Sequence, residues 1–137
     1  MKTFKYFLPS IFLMIIIFSF SHQTGSDSSH LSLTIVQWIQ NHLNIPLTEF
    51  MIRKGAHMSE YALLSLSFYY GFSHLEIHQK ITYISSLAAT FIYACTDEFH
   101  QLFIGGRAGQ LTDVMIDTCG GIIMIIFIFL INRHFQK

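Results

Sequence analysis

Arg53, Lys54, His57 and Glu60 lie within two helical turns of one another in RKGAHMSE, and DEFHQ brings together Asp97, Glu98, His100 and Gln101. A third group, Arg107, Asp113 and Asp117, is spread over GGRAGQLTDVMID. Side chains of these types move protons, hold anions or ligate cations. At about 100° per residue, Lys54, His57, Glu60, Tyr61 and Leu64 share one helix face. Asp97, Glu98 and Gln101 share a second, and Asp113, Asp117, Gly120 and Met124 a third. Each group adjoins a long apolar run, and a charge facing hydrocarbon costs about 3 kcal/mol or more. The three faces are therefore expected to turn inward and meet in one outward-opening pocket.

Counting the charges bears on what such a pocket holds. Arg53, Lys54 and Arg107 stand against Glu60, Asp97, Glu98, Asp113 and Asp117, three cations to five acids with neutral histidines. Pairing leaves an acid excess. Either some carboxyls are held protonated by burial and by one another, or His57 is protonated, or a cationic group or divalent metal occupies the site. The expected ligand-binding set is Lys54, His57, Glu60, Tyr61, Asp97, Glu98, Gln101, Arg107, Asp113 and Asp117. Glu60, Asp97 and Glu98 are the candidates for acid–base catalysis. His57, Glu60, Asp97 and Glu98 are the candidate metal ligands, a mixed nitrogen and oxygen set of the kind zinc, manganese or iron accepts. No H-E-x-x-H or Cys-Cys-His pattern occurs to secure a metal, so the cofactor is unknown and a divalent cation stays open.

Plainer roles compete. Lys54 at a span end can snorkel, and Arg107 can serve an ion-pair network. Asp113 suits the first turn of a helix that Thr112 would cap. The loop FIGGRAGQL, with glycines at 105, 106 and 109, can aim Arg107 or backbone N–H groups at an anion such as phosphate, or it can be a short helix-to-helix turn.

The elements that position these residues follow from hydropathy. The chain is 52% apolar and 12% charged with no net charge, which excludes an ordinary soluble domain and offers no basic surface for nucleic acid. No nucleotide-binding glycine motif occurs. Four stretches reach the length a bilayer requires, at about residues 4–20, 56–75, 81–99 and 113–132. The expectation is an all-α polytopic membrane bundle, one domain over 1–137, with short connections. The first stretch, behind Lys2 and Lys5, is read as a retained helix, with a cleaved signal peptide ending near Ser19–Ser21 as the alternative. Between the first two spans, residues 21–29 read as a turn. From about 30 to 43, Leu31, Ile35, Trp38, Ile39 and Leu43 recur at helical spacing, which gives an extracytoplasmic amphipathic helix. It either lies at the membrane interface or packs its stripe on the bundle. Cys95 and Cys119 fall within spans and read as unpaired packing thiols.

Lys2, Lys5, Lys80, Arg133 and Lys137 share one side and Arg53, Lys54 and Arg107 the other. This places both termini in the cytoplasm of a multi-pass cytoplasmic-membrane protein and the polar cluster outside.

RKGAHMSEYALL followed by DEFHQLFIGGRAGQLTDVMIDTCGG resembles the VanZ-like family of small bacterial membrane proteins, over about Arg53 to Gly121. The family pattern marks Lys54, His57, Glu60, Tyr61, Asp97, Glu98, Gln101, Phe103, Arg107, Asp113, Asp117 and Gly120. Gly105 departs from it where many members carry proline, and Met124 where a second small residue is usual. The resemblance implies a membrane bundle of four to five helices linked to the cell envelope and to teicoplanin resistance, without naming an activity. Three readings fit. The leading one is a binding protein that engages a cell-wall precursor, lipid head group or glycopeptide. The second is an intramembrane acid–base or metal-assisted enzyme on a lipid-linked or phosphate substrate, and the third is a small proton-coupled transporter.

Overall fold

The computed structural model describes residues 3–135; Lys2 and Lys137, which enter the expected orientation, lie outside them. The described residues form an all-helical bundle. A single 3-10 turn, Phe4–Phe7, runs into α1 (Leu8–Ser21), followed by α2 (Gly25–Leu43), α3 (Glu49–Ser73), α4 (Gln79–Gln101) and α5 (Leu111–Phe135). The central packing unit is α3 with α4 and α5, with α1 against α3 and α4 and α2 laid on α3. Two helical segments, Phe4–Ser21 and Leu111–Phe135, are long and apolar enough to cross a membrane.

Packing is inverted relative to a protein in water. Phe12, Ile84, Ile92, Ile123 and Phe127 are exposed, whereas Ser65, Ser86, Thr90, Gly120 and Gly121 are buried between helices. In lipid, close approach of small residues replaces the hydrophobic drive as the source of helix association. Gly120 shows why: a side chain there would run into the Met58 carbonyl oxygen on α3. Some buried hydroxyls are satisfied within their own helix, as Ser86 Oγ donates to Thr82 O (2.7 Å) and Thr90 Oγ1 to Ser86 O (2.8 Å), whereas Ser10, Ser21 and Ser65 Oγ have no partner among the described residues. The core is small: Ile17, Tyr61, Leu64, Ala94 and Val114.

Three local expectations change. The segment read as a turn at 21–29 is helical from Gly25, because Thr24 Oγ1 accepts from Asp27 N (3.3 Å) and caps α2. The helix expected from about 56 begins at Glu49, where Thr48 Oγ1 accepts from Met51 N (3.2 Å). Thr112 does not cap the last helix. That helix already starts at Leu111, and the Thr112 hydroxyl donates to Gln110 Oε1 (3.3 Å).

α1 is tied into the bundle along its length. Ile17 is buried, Tyr93 Oη donates to Met14 O (2.6 Å), and the Tyr6 ring stacks on His74 at 3.8 Å. At the same end as Tyr6, Asn132 Nδ2 donates to Tyr69 Oη (2.7 Å) and Tyr83 Oη (2.9 Å), joining α3, α4 and α5. Of the α2 stripe, Leu31, Ile35, Trp38 and Leu43 remain exposed; Ser32 and Val36 make the buried side. The bundle covers that stripe only in part: Ile39 is half-buried, and Leu31 and Ile35 edge a cavity between α2 and α3. Cys95 and Cys119 are free thiols, the first half-buried against the core and the second exposed.

Candidate functional site

The polar faces of α3, α4 and α5 meet at the end of the bundle opposite Asn132. Lys54 Nζ lies 2.5 Å from Asp113 Oδ1, and one turn deeper His57 Nδ1 lies 3.8 Å from Asp117 Oδ1. The second separation is too long for a hydrogen bond, so that contact is electrostatic. On α4, Gln101 Nε2 donates to Asp97 Oδ2 (3.3 Å), and Glu98 Oε2 accepts from the backbone N–H of Gln110 (2.9 Å). Beneath them, Tyr61 Oη, Asp97 Oδ1 and Asp117 Oδ2 are sealed from solvent without a hydrogen-bond partner, as is His57 Nδ1. Unpaired buried polar atoms are costly. Their gathering on three helices makes this end the candidate site.

Above this layer is a cavity of about 460 Å³, lined by Arg53, Lys54, His57, Gln101, Arg107 and Asp113 among others. Its rim is fastened by Arg107, whose Nε donates to Gln23 O (2.8 Å) and Nη2 to Phe20 O (3.0 Å). Those carbonyls end α1 and begin the turn to α2, where a cation also complements the helix dipole. Beside it, Gly25 N donates to Gly105 O (3.1 Å), and a side chain on Gly25 would strike the Gly106 carbonyl. Gly106 adopts φ +76°, the left-handed region that glycine enters freely. The loop thus needs its glycines both for a turn and for close backbone approach. Partial burial lowers the Arg107 pKa from its ordinary value while nearby Asp97 raises it; arginine stays charged regardless.

Of the residues expected from sequence, Lys54, His57, Gln101, Arg107 and Asp113 line the cavity. Tyr61, Asp97, Glu98 and Asp117 form the buried support behind it. Glu60 does not line this cavity but an adjoining one of about 240 Å³ on the α2 side, which shares Ser28, Arg53, His57 and Arg107 with the first. Phe103, which the family pattern marks, is exposed. The proposed metal ligands do not close on one point. Among the described residues no three His, Cys, Asp or Glu side chains are placed to hold a metal, because Glu60 turns toward α2 and Glu98 is engaged by the Gln110 backbone.

Sequence reasoning missed Gly25, Ser28 and Phe50, which α2 and the start of α3 bring to the cavity. It also missed Tyr93, which could have been found from its place on the inward stripe between Thr90 and Asp97. His100, grouped with the site by proximity, turns instead to His22, with Nε2 3.2 Å from His22 Nδ1.

No curated protein and no solved structure matches the chain. The VanZ/LLP1 family model matches residues 6–132, which takes in α1 to α4, α5 as far as Asn132, and the residues that line the cavity. With the paired signatures on α3 and on α4 to α5 facing one another as described, the chain belongs to the VanZ/LLP1 family.

Proposed function

We propose that the chain is a multi-pass protein of the bacterial cytoplasmic membrane that holds a cell-envelope ligand in the cavity above Gln101 and His57. The ligand is a cell-wall precursor, a lipid head group or a glycopeptide, and its capture contributes to teicoplanin-type resistance. The observation that carries the reading is the 460 Å³ cavity, polar and opening at one end of an inside-out bundle. α1, α3, α4 and α5 serve as four spans. At 1.5 Å per residue, α3 and α4, with 25 and 23 residues, are also long enough to cross. Their hydropathy is lowered by the polar residues they turn inward.

In this topology both termini are cytoplasmic with Lys5, Lys80 and Arg133, and the cavity opens on the extracytoplasmic side. The part of the α2 stripe left exposed by the bundle then rests at the interface. The contacts of Ile17, Met14 and Phe20 support α1 as a retained span.

A second reading has a specific observation behind it. His57 lines the cavity with its Nδ1, which has no hydrogen-bond partner among the described residues, 3.8 Å from buried Asp117, so a small approach of the two would give the hydrogen bond that orients an imidazole for acid–base work. In that reading the chain acts on a lipid-linked or phosphate substrate. The acid–base pair is then His57 with Asp117 or Asp97, since Glu98 is engaged by the Gln110 backbone, and Glu60, which shares the adjoining cavity with His57, is the other candidate.

Purified protein in uncharged detergent, melted with teicoplanin, a lipid-linked cell-wall precursor, anionic lipids, EDTA and divalent metals, tests the binding reading, because a ligand raises apparent stability by mass action. Stabilisation that disappears in Lys54→Gln and survives in Lys80→Gln is expected. Absence of any shift, together with unchanged glycopeptide resistance in cells carrying Lys54→Gln or Asp117→Asn, would overturn it.

A further inference from the structure

The charge count over the whole polar cluster favours a cationic ligand, but the cavity wall is charged the other way. Its charged lining is Arg53, Lys54, Arg107 and Asp113, three cations to one acid. Asp97, Glu98 and Asp117 are buried behind that wall, and Glu60 opens on the neighbouring cavity. Asp113 is neutralised by Lys54 at 2.5 Å. Arg53 meets Glu49 at 3.5 Å on a part-exposed surface, a contact of little strength. Among the described residues no carboxylate lies within ion-pair distance of Arg107; its hydrogen-bond partners are the Gln23 and Phe20 carbonyls. A part-buried guanidinium with unused N–H donors therefore lines the cavity, with its neighbouring acids Asp97, Glu98 and Glu60 all beyond ion-pair contact. The start of α5 reaches the same space through Gln110 and Thr112, but the Gln110 N–H already donates to Glu98 Oε2 and the Asp113 N–H to Gln110 O, so the positive charge of the wall comes from its side chains.

We propose that the cavity binds the phosphate group of its ligand, with Arg53 and Arg107 supplying the net positive charge and the Lys54–Asp113 pair setting how much of it is available. A phosphate carries about −1.5 to −2 charges at neutral pH and several acceptor oxygens. That matches two guanidinium groups, one free of ion-pair contact and the other only loosely paired, better than a carboxylate does. This inference rests on the binding reading above and narrows its ligand to those bearing a phosphate. The phosphate arrives either as a free anion or on a lipid head group at the membrane edge.

The test uses the full chain in uncharged detergent, titrated with inorganic phosphate, pyrophosphate and short-chain phosphatidic acid, with acetate and short-chain phosphatidylcholine as comparisons. Binding is read by calorimetry and by phosphorus NMR line width. The expected result is saturable binding of phosphate-bearing probes and none of acetate. Arg53→Gln weakens binding about tenfold, and Lys80→Gln leaves it unchanged. Asp113→Asn is the decisive variant. It frees Lys54 and removes the only acid on the wall, so it tightens phosphate binding several-fold; in a cation site it would weaken binding.

Phosphatidic acid binding without inorganic phosphate supports a lipid-borne group. Equal binding of both supports recognition of the anion alone. Absence of binding by every phosphate probe, or weakening by Asp113→Asn in a protein that melts normally, overturns the proposal. If teicoplanin or the precursor still stabilises the protein in that case, the binding reading stands and only the phosphate assignment falls.

Discussion

Arg107 Nη2 lies 3.0 Å from the carbonyl oxygen of Phe20, and Nε of the same side chain lies 2.8 Å from that of Gln23. One guanidinium on the α4–α5 loop therefore holds the end of α1 and the start of the turn to α2. Arg107 is a fastener as well as part of the cavity wall, and the two roles separate by substitution. Arg107→Lys keeps the charge but loses the fork that reaches two acceptors at once. It is expected to cost about 1 kcal/mol in equilibrium unfolding from mixed micelles, with Arg107→Ala costing about 2 kcal/mol or more. Equal stability of both variants and the parent would show that the clamp adds nothing.

Lys54 and Asp113 join α3 to α5 at the mouth of the cavity, with both side chains mostly shielded. Lys54→Ala alone leaves Asp113 facing a polar cavity without its cation, and Asp113→Ala does the converse. Each single change is expected to cost about 1 to 2 kcal/mol, and the double variant less than their sum, with a coupling energy near 1 kcal/mol. A thermodynamic cycle of the four proteins measures it. Additive costs would mean that the two groups do not sense one another in the folded chain.

The long apolar runs and the inward faces at 54, 57 and 61 and at 97, 98 and 101 were legible because helical periodicity is fixed by geometry and charges are excluded from lipid. Glu60 shows the limit. It lies on the same broad face as Lys54 and His57, yet α2 crosses close enough to divide the space, so that Glu60 opens on the adjoining cavity and not on the one that Lys54 lines. Where α2 lies is set by Thr24 capping and by the contact of Gly25 with Gly105 and Gly106, joining residues far apart in sequence. The sign of the cavity escaped for a related reason: periodicity says which residues point inward, but depth decides which line the cavity and which lie behind it. Acceptors that belong to the backbone, such as Phe20 O and Gln23 O, carry no residue-type signal at all.

Gly120 and Gly121 are both buried, but what faces them differs. A methyl group at 120 would run into the backbone carbonyl of Met58, whereas at 121 the nearest atom is the Thr90 methyl at 3.1 Å. Backbone in a packed helix pair cannot step aside as a side chain can. Gly120→Ala is therefore expected to destabilise by about 2 kcal/mol and Gly121→Ala by less than half as much, both measured by equilibrium unfolding. This also bears on Met124, which stands where a second small residue is usual in the family. The close approach is made one turn earlier, so Met124→Ala should bring no gain in stability. The reverse order of the two glycine variants would show that α3 and α5 do not meet at Met58.

Trp38 is the only tryptophan in the chain, so its fluorescence reports on one place. It is 58% exposed on the bundle surface, stacks on His42 at 4.7 Å, and shares its side of α2 with exposed Leu31 and Ile35. In water such a stripe would be an unsupported apolar patch. At a bilayer interface it buries its apolar side while the indole N–H reaches the head groups. In lipid vesicles its emission is therefore expected to be blue-shifted relative to free tryptophan. Lipids brominated near the head group should quench it more strongly than lipids brominated near the bilayer centre. Replacing Leu31 and Ile35 together by serine should weaken that quenching, because it removes the surface that holds α2 against the membrane, while leaving Ser32 and Val36 on the bundle side intact. Emission like that of free tryptophan, unquenched by either lipid, would take α2 off the membrane and leave its stripe to be covered by something else. Stronger quenching from the bilayer centre would instead place α2 within the hydrocarbon layer and require a different path for the chain between α1 and α3.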